Sequence, residues 1–318
     1  MKDIMGDFDK LIDHNVNTGN RETGFHDLVN GKQNTTDLKA TSEEEQIKDA
    51  TFTEEEQRDV NNISVTIPDT QTPIVIFFGS MASGKTLTLL RMIRFLESHN
   101  YQVVPEAVFR PRTDRHYAKM CSNLKSIAYS AYTPGGTDVI SFMLAKVLNE
   151  VGNPVCQILE APGEHYFDGT ADLKFPTYIN AIRTAPNRRI WVFFVEQDWG
   201  NDQGERNLYA QKICSMQSLI SPQDRIVFLF NKADKHRQQY KPNGQPNKEV
   251  FFKNIAQQYP GIFSKYQNKG MDKILYGEYK FKTVCFSSGI FNRTENNKEV
   301  WTLESDWYCQ ELWKALTK

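Results

Sequence analysis

Long apolar runs are missing from this chain. The longest purely aliphatic and aromatic stretch is Ile190 to Val195, far below the roughly 20 residues of a membrane-spanning helix, so no transmembrane segment is expected. Cysteine is scarce. The five thiols (Cys121, Cys156, Cys214, Cys285 and Cys309) form no C-x-x-C pair and are odd in number, as expected of reduced, buried intracellular residues. Neither sign of charge prevails: 38 Lys+Arg against 39 Asp+Glu leave a net charge of −1, which argues against nucleic-acid binding by bulk charge. No apolar signal core or glycine follows Met1, and the final ELWKALTK holds no lipidated cysteine box. No membrane anchor and a cytoplasmic location are the resulting expectations.

Charge is nevertheless unevenly distributed. Residues 1–70 hold 16 Asp+Glu against 7 Lys+Arg, with few large apolar side chains to offset the entropy of ordering. They are expected to form an acidic N-terminal arm, largely disordered or loosely docked, whose apolar groups at Phe8-Leu11-Ile12 and Phe25-Leu28-Val29 could lie on the basic body. From Pro73 onward, short buried runs alternate with helical patterns, the texture of a mostly parallel sheet covered by helices. Strands are expected at Ile74–Phe78, Gln102–Ala107, Val139–Leu148, Val155–Leu159, Ile190–Val195, Ile226–Phe230 and Thr283–Phe286. Helices are expected at Lys85–Ser98, Asn207–Leu219, Lys248–Gln258 and Thr302–Leu316, with a loop at Asn243–Asn247.

Two motifs carry chemistry. The first strand runs directly into Gly79-Ser80-Met81-Ala82-Ser83-Gly84-Lys85-Thr86, a G-x-x-x-x-G-K-T followed by a helix. In this context the glycines let backbone N–H groups turn inward around a phosphate, and the helix N-terminus adds positive potential. Lys85 reaches the outer phosphates, and the Thr86 hydroxyl is a Mg²⁺ ligand. The second motif is Asn231-Lys232-Ala233-Asp234, at the end of the run Ile226–Phe230, where ligands sit in open α/β sheets. The Asp234 carboxylate could accept both the ring N1–H and the exocyclic amine of guanine, whereas adenine offers no such pair of donors. Asn231 would hold the loop, and the Lys232 stem would cover the base.

Between these motifs, Thr137 to Val147, a turn at Asn149–Asn153, and Pro154 to Gly163 resemble the interswitch hairpin and D-x-x-G of Ras-like P-loop GTPases. The resemblance spans residues 72–318 in motif order and is close only near the motifs. It implies a three-layer α/β P-loop NTPase fold over residues 71–318, mostly parallel with one antiparallel edge strand and helices on both faces. It also implies insertions near residues 100–136 and 235–282, the second serving as a lid or partner surface. The D-x-x-G roles, a metal-bound water and sensing of the γ-phosphate, fall to Glu160 and Gly163. The switch threonine that closes over Mg²⁺ falls to Thr137, with Thr133 as second choice. Ser287-Ser288-Gly289 occupies the place of the S-A-K loop that supports guanine, without its lysine.

The departures bear on turnover. Glu160 replaces the family aspartate, Glu164 stands where Ras-like enzymes carry a water-orienting glutamine, and Met81 replaces the glycine that admits an activating arginine. His165 and the cluster Arg110, Arg112 and Arg115 are further catalytic candidates. The sequence thus points to a Mg²⁺-dependent GTP-hydrolysing switch, slow without a protein effector or regulator, with Lys85, Thr137, Gly163 and Glu164 as its catalytic set. A guanine-nucleotide scaffold with little hydrolysis and an ATP-using P-loop enzyme are the alternatives. The class of signal-recognition and MinD-like proteins is the architectural runner-up, because a strand is expected straight after the P-loop helix.

Overall fold

The computed structural model describes residues 52–132, 142–197, 202–293 and 299–318. Seven strands make one sheet: β1 Ile74–Phe78, β2 Gln102–Pro105, β3 Met143–Leu148, β4 Pro154–Glu160, β5 Arg189–Val195, β6 Arg225–Phe230 and β7 Phe281–Cys285. Their order is β2-β3-β4-β1-β5-β6-β7. The run β4-β1-β5-β6-β7 is parallel throughout. β1, and β5 from Ile190 on, read as unbroken apolar segments because every residue in them is buried, the condition of parallel strands covered on both faces.

The antiparallel strand is not at the edge. β3 is antiparallel to both β4 and β2, so it lies one place inward and β2 forms the rim. Burial in β2 alternates, with Val103 inside and Val104 exposed, as suits a strand with one covered face. The β3–β4 pair is the antiparallel hairpin expected between Thr137 and Gly163. A second small sheet, β8 Ile290–Arg293 against β9 Glu299–Thr302, was not expected from sequence.

The helices are α1 Glu54–Arg58, α2 Lys85–Ser98, α3 Arg115–Ala128, α4 Gly163–Tyr166, α5 Thr177–Thr184, α6 Gln203–Met216, α7 Lys248–Gln258, α8 Met271–Tyr276 and α9 Trp307–Thr317. Short polar side chains start several of them, satisfying otherwise orphaned N–H groups. Asp114 accepts from the Tyr117 N–H at 2.8 Å, and Asp202 accepts from Glu205 N–H at 2.9 Å. α6 carries Tyr209 onto the core, where its hydroxyl donates to the Phe194 carbonyl at 2.8 Å beside the Phe78 ring. Within the stretch expected to form a lid, Tyr259, Phe263 and Tyr266 are buried. The Tyr259 hydroxyl donates to the Glu196 carbonyl and that of Tyr266 to the Ile213 carbonyl, each at 2.6 Å. These aromatics are core, not lid.

The acidic arm is described only from Phe52 on, and there it is docked rather than loose. Thr53 and Glu56 form a reciprocal capping box on α1, the Phe52 ring lies 5.2 Å from Phe142, and Ile63 joins the hydrophobic core. The anchor is Arg110, which is buried and donates to both Glu56 carboxylate oxygens at 2.7 and 2.9 Å. It also donates to Asp114 and to the Ser64 carbonyl, both at 2.8 Å. With its donors so engaged Arg110 is a structural tie, not a catalytic arginine. Removing one partner of a buried ion pair costs about 3–5 kcal/mol because the other charge stays behind. Arg110→Met is therefore expected to lower the urea midpoint sharply, and adding Glu56→Leu to recover most of the loss. An unchanged midpoint in the single variant would contradict this reading.

Candidate functional site

Loops at the C-terminal ends of β1, β4, β6 and β7 converge. Gly79–Gly84 leads from β1 into α2, with Ala82 at φ 56° and Gly84 at φ 88°. Left-handed residues of this kind turn successive N–H groups to one side, making an anion-binding concavity. Gly84 has a second reason to lack a side chain: a Cβ there would stand 2.4 Å from Asn231 Nδ2. That amide instead donates to the Ser83 carbonyl at 2.6 Å, tying the N-K-A-D segment directly to the phosphate-type loop. The seven-stranded mixed sheet is consistent with the α/β fold of P-loop nucleoside triphosphatases.

Lys85 is buried, and its ammonium donates to the Gly79 and Ser80 carbonyls at 3.1 and 3.0 Å. Burial pushes its pKa down, opposed by the nearby Glu160 and Glu164 carboxylates. Glu160, at the end of β4, is also buried and accepts from the Thr86 hydroxyl at 2.7 Å. Burial pushes its carboxyl up to about 7, opposed by the Lys85 charge and the Thr86 hydrogen bond. A dry pocket thus disfavours both charged forms. A polyanion beside Lys85 would favour its charge, and a cation beside Glu160 would favour the carboxylate.

Three buried polar atoms in this neighbourhood, Ser83 Oγ, Glu160 Oε2 and Asn231 Oδ1, have no hydrogen-bond partner among the described residues. Orphaned buried acceptors are costly unless a ligand or water satisfies them. A hydroxyl and a carboxylate 2.7 Å apart, one with a spare oxygen, are the hard donors that suit Mg²⁺ and its waters. The residues present therefore fit the ion.

Gly163, at the start of α4, explains itself by contact: a Cβ there would lie 2.2 Å from the Met81 backbone nitrogen and 2.4 Å from the Ser80 carbonyl carbon. Only glycine lets the chain after Glu160 pass so close to the loop. Glu164 is exposed beside it, and Met81 is 69% exposed at the mouth. His165 faces the other way. It is buried, hydrogen-bonded through Nδ1 to the Tyr178 hydroxyl at 2.7 Å, and packed beside the Phe52 ring. It is a core histidine, not a water-orienting one. Thr137 and its second choice Thr133 lie outside the described residues.

On the far side, Lys232 adopts φ 55° and pairs with Glu196, the residue after β5. The Ala233 N–H donates to the Phe286 carbonyl at 3.0 Å, joining the loops after β6 and β7. Asp234 is half-buried; burial pushes its carboxyl up while a hydrogen bond from Ser287 pulls it down. Ser287 and Ser288 are buried, and the Trp301 Nε1–H of β9 donates to the Ser288 carbonyl at 2.7 Å. Sequence reasoning missed Arg91. This buried α2 residue donates to the Ser287 carbonyl and, at 2.8 Å, to the Ser305 carbonyl, so the P-loop helix itself holds the β7 loop. Glu196 was also missed, although a carboxylate straight after a fully apolar strand was a visible signal.

No protein-family model matches the chain, and no curated protein sequence does. Solved structures resemble it loosely. Nucleolar GTP-binding protein 1 of Plasmodium falciparum is 14% identical over 71% of this chain and 81% of its own, with a TM-score of 0.34. The GTP-bound Ski7 GTPase-like domain of S. cerevisiae is 14% identical over 69% of this chain and 44% of its own, at 0.37. Bacterial selenocysteine-specific elongation factor EF-Sec is 10% identical over 77% of this chain and 28% of its own, at 0.32. The chain thus spans less than half of the last two. Likenesses this loose say nothing of chemistry, which rests on the residues themselves.

His165 gives a pH dependence with a defined sign. Burial lowers its pKa below the ordinary 6.5, so the unfolded chain takes up the proton first and stability falls as pH drops. The loss is expected to begin near pH 6.5 and to run down through the lowered native value. In His165→Gln, denaturant unfolding should show a flatter slope over that window; an unchanged slope would place the acid sensitivity elsewhere.

Proposed function

We propose that the protein binds guanine nucleotide in a Mg²⁺-dependent manner and hydrolyses GTP to GDP and phosphate, acting as a nucleotide-controlled switch. The observation that supports this reading is the Asn231 side-chain hydrogen bond to the Ser83 carbonyl, which ties the segment carrying Asp234 to the glycine-bearing loop after β1. Gly79, Ser80, Met81, Ala82, Ser83 and Gly84 would wrap the phosphates with backbone N–H groups. Lys85 would exchange its two carbonyl partners for phosphate oxygens. Asp234 would accept from the base, Lys232 would cover it, and Ser287 and Ser288 would close the loop behind it.

Thr86 and Glu160 would hold Mg²⁺, which when bound neutralises phosphate charge. Phosphoryl transfer then asks the protein for an oriented water and little else. Glu164 is the group positioned by sequence to accept a hydrogen bond from that water, and Gly163 brings its own backbone to the loop edge. Thr137 would complete the metal side of the site. Ordering of segments around a γ-phosphate is how such switches signal, and a protein effector or regulator is the partner this implies, in a cytoplasmic setting.

A second reading, a scaffold that holds GTP without efficient hydrolysis, draws on Glu164. A carboxylate in the water-orienting position repels the phosphates, and Met81 stands at the mouth where an activating arginine would enter. Single-turnover analysis of bound GTP separates the two, since the switch forms GDP and the scaffold leaves GTP intact. The guanine reading itself has a direct test. Asp234→Asn should weaken GTP by about two orders of magnitude or more, since it leaves a donor facing a donor, and should raise affinity for xanthine nucleotide. Competition titrations with GDP, GTP, XTP and ATP, with and without Mg²⁺, measure both effects. Unchanged preference would refute the role of Asp234, while Lys85→Ala should abolish binding of every nucleotide.

A further inference from the structure

A cavity of 640 Å³ opens at the opposite end of the sheet from the P-loop. It lies where β6 and β7 begin, whereas Gly79 follows the end of β1, and the three strands run parallel. Five cations line it: Arg225, Lys265, Lys280, Lys282 and Lys318. None of the five makes an ion pair among the described residues. Asp224 also lines the wall, but its carboxylate is fully buried and already accepts from Arg189 at 3.1 Å, from Trp191 Nε1 at 3.2 Å and from the Ser221 N–H at 3.1 Å. The other lining acid is Asp272. The remaining charge is strongly positive, and it is felt: burial and the neighbouring Arg225 and Lys318 push the Lys282 ammonium down.

Beside this cavity stands α8, carried on a loop pinned at its base. The Asn268 N–H donates to the Glu278 carbonyl at 2.9 Å, the Lys280 N–H to the Tyr266 carbonyl at 2.9 Å, and Asn268 Nδ2 to the Gly277 carbonyl at 2.8 Å. The helix presents Met271, Ile274 and Leu275, one face at i, i+3, i+4 spacing, and they are 71%, 81% and 64% exposed. Lys269 and Lys273 flank them, both exposed.

We propose that this end of the molecule docks on an anionic phospholipid surface, with the α8 tip inserted among the acyl chains and lipid phosphates drawn to the basic cavity beside it. An exposed apolar tip flanked by Lys269 and Lys273, with Asp272 on the same helix turned to the cavity wall that it lines, matches the headgroup boundary, where apolar side chains enter and long cationic ones remain at the phosphates. An apolar face on a protein partner would instead call for a complementary groove to receive it. The helix is far too short to span a bilayer, so the contact is peripheral. It leaves the P-loop end of the sheet facing away from the membrane.

The test is sedimentation of the full chain with phosphatidylcholine vesicles, with and without one-third phosphatidylserine. Binding is expected only to the anionic vesicles and should weaken as salt is raised. Lys280→Glu with Lys282→Glu should reduce partitioning by at least about 25-fold, about fivefold for each lysine near an anionic surface. Ile274→Ser with Leu275→Ser should reduce it about tenfold through lost insertion. All four side chains are exposed, so thermal melts should be unchanged and confirm folding, and nucleotide titrations should match the parent. No pelleting with anionic vesicles at low salt would overturn the proposal, as would pelleting that neither double variant reduces. Retention on polyglutamate without vesicle binding would assign the face to an acidic protein and overturn it equally.

Discussion

The contact on which the rest of the site depends is the Asn231 amide hydrogen bond to the Ser83 carbonyl, made across a glycine. Because Gly84 has no side chain, two loops from different strands share one backbone groove, and the amide fixes their spacing at 2.6 Å. Arg91 repeats the linkage from the other direction, from the helix that Gly84 starts to the Ser287 carbonyl after β7. Gly163 adds a third approach, this time backbone on backbone against Ser80 and Met81. Loops from β1, β4, β6 and β7 are thereby locked to one another before any ligand is considered. Such preorganisation lowers the cost of ordering a binding site.

Locking the loops also dries the floor between them. The buried Lys85 ammonium and the buried Glu160 carboxylate attract one another, yet each is costly to take out of water. Desolvation is the largest influence on both Lys85 and Glu160, pushing the first down and the second up. The Thr86 hydroxyl and the two loop carbonyls compensate only partly, and one Glu160 oxygen is left without a partner. From the end of β4, Glu160 reaches the Thr86 hydroxyl at the start of α2 directly.

How much of this was readable from sequence depends on whether the signal was local. All seven strands of the main sheet were anticipated within a few residues, most plainly β1 and β5, because a strand buried on both faces leaves an apolar run bounded by turns. The loop Gly79–Thr86 and Asn231–Asp234 were equally visible, since their chemistry is contiguous. The inward place of β3 was not, because a hairpin pattern fixes who pairs with whom but not what lies beyond. α3 was missed since its buried residues, Tyr117, Met120, Leu124 and Ala128, are interleaved with lysines and polar side chains after a basic loop. Arg91 escaped, and Arg110 was read as a catalytic candidate in a basic cluster rather than as a buried tie, for a different reason. A lone arginine reads as solvent-exposed, and only the fold shows that its partners, Ser287 for one and Glu56 for the other, arrive from distant parts of the chain.

The same two strands that end at the Asn231–Asp234 and Ser287–Ser288 loops begin at the basic cavity. β6 runs from Arg225 to Phe230 ahead of Asn231, and β7 runs from Phe281 to Cys285 ahead of Ser287. They are paired along their full parallel register, from Ile226 beside Phe281 to Phe230 beside Cys285. Coupling between distant sites needs an element with two discrete arrangements, and a fully hydrogen-bonded pair of buried strands is a poor one. Docking at the cavity end would therefore act by orientation: it holds the strand-end loops outward, toward soluble nucleotide and partners, without altering their affinity. Electrostatics agrees with this division. Screening over about 8 Å at physiological salt confines the cavity's field to its own end of the sheet, leaving Lys85 and Glu160 governed by the groups that touch them.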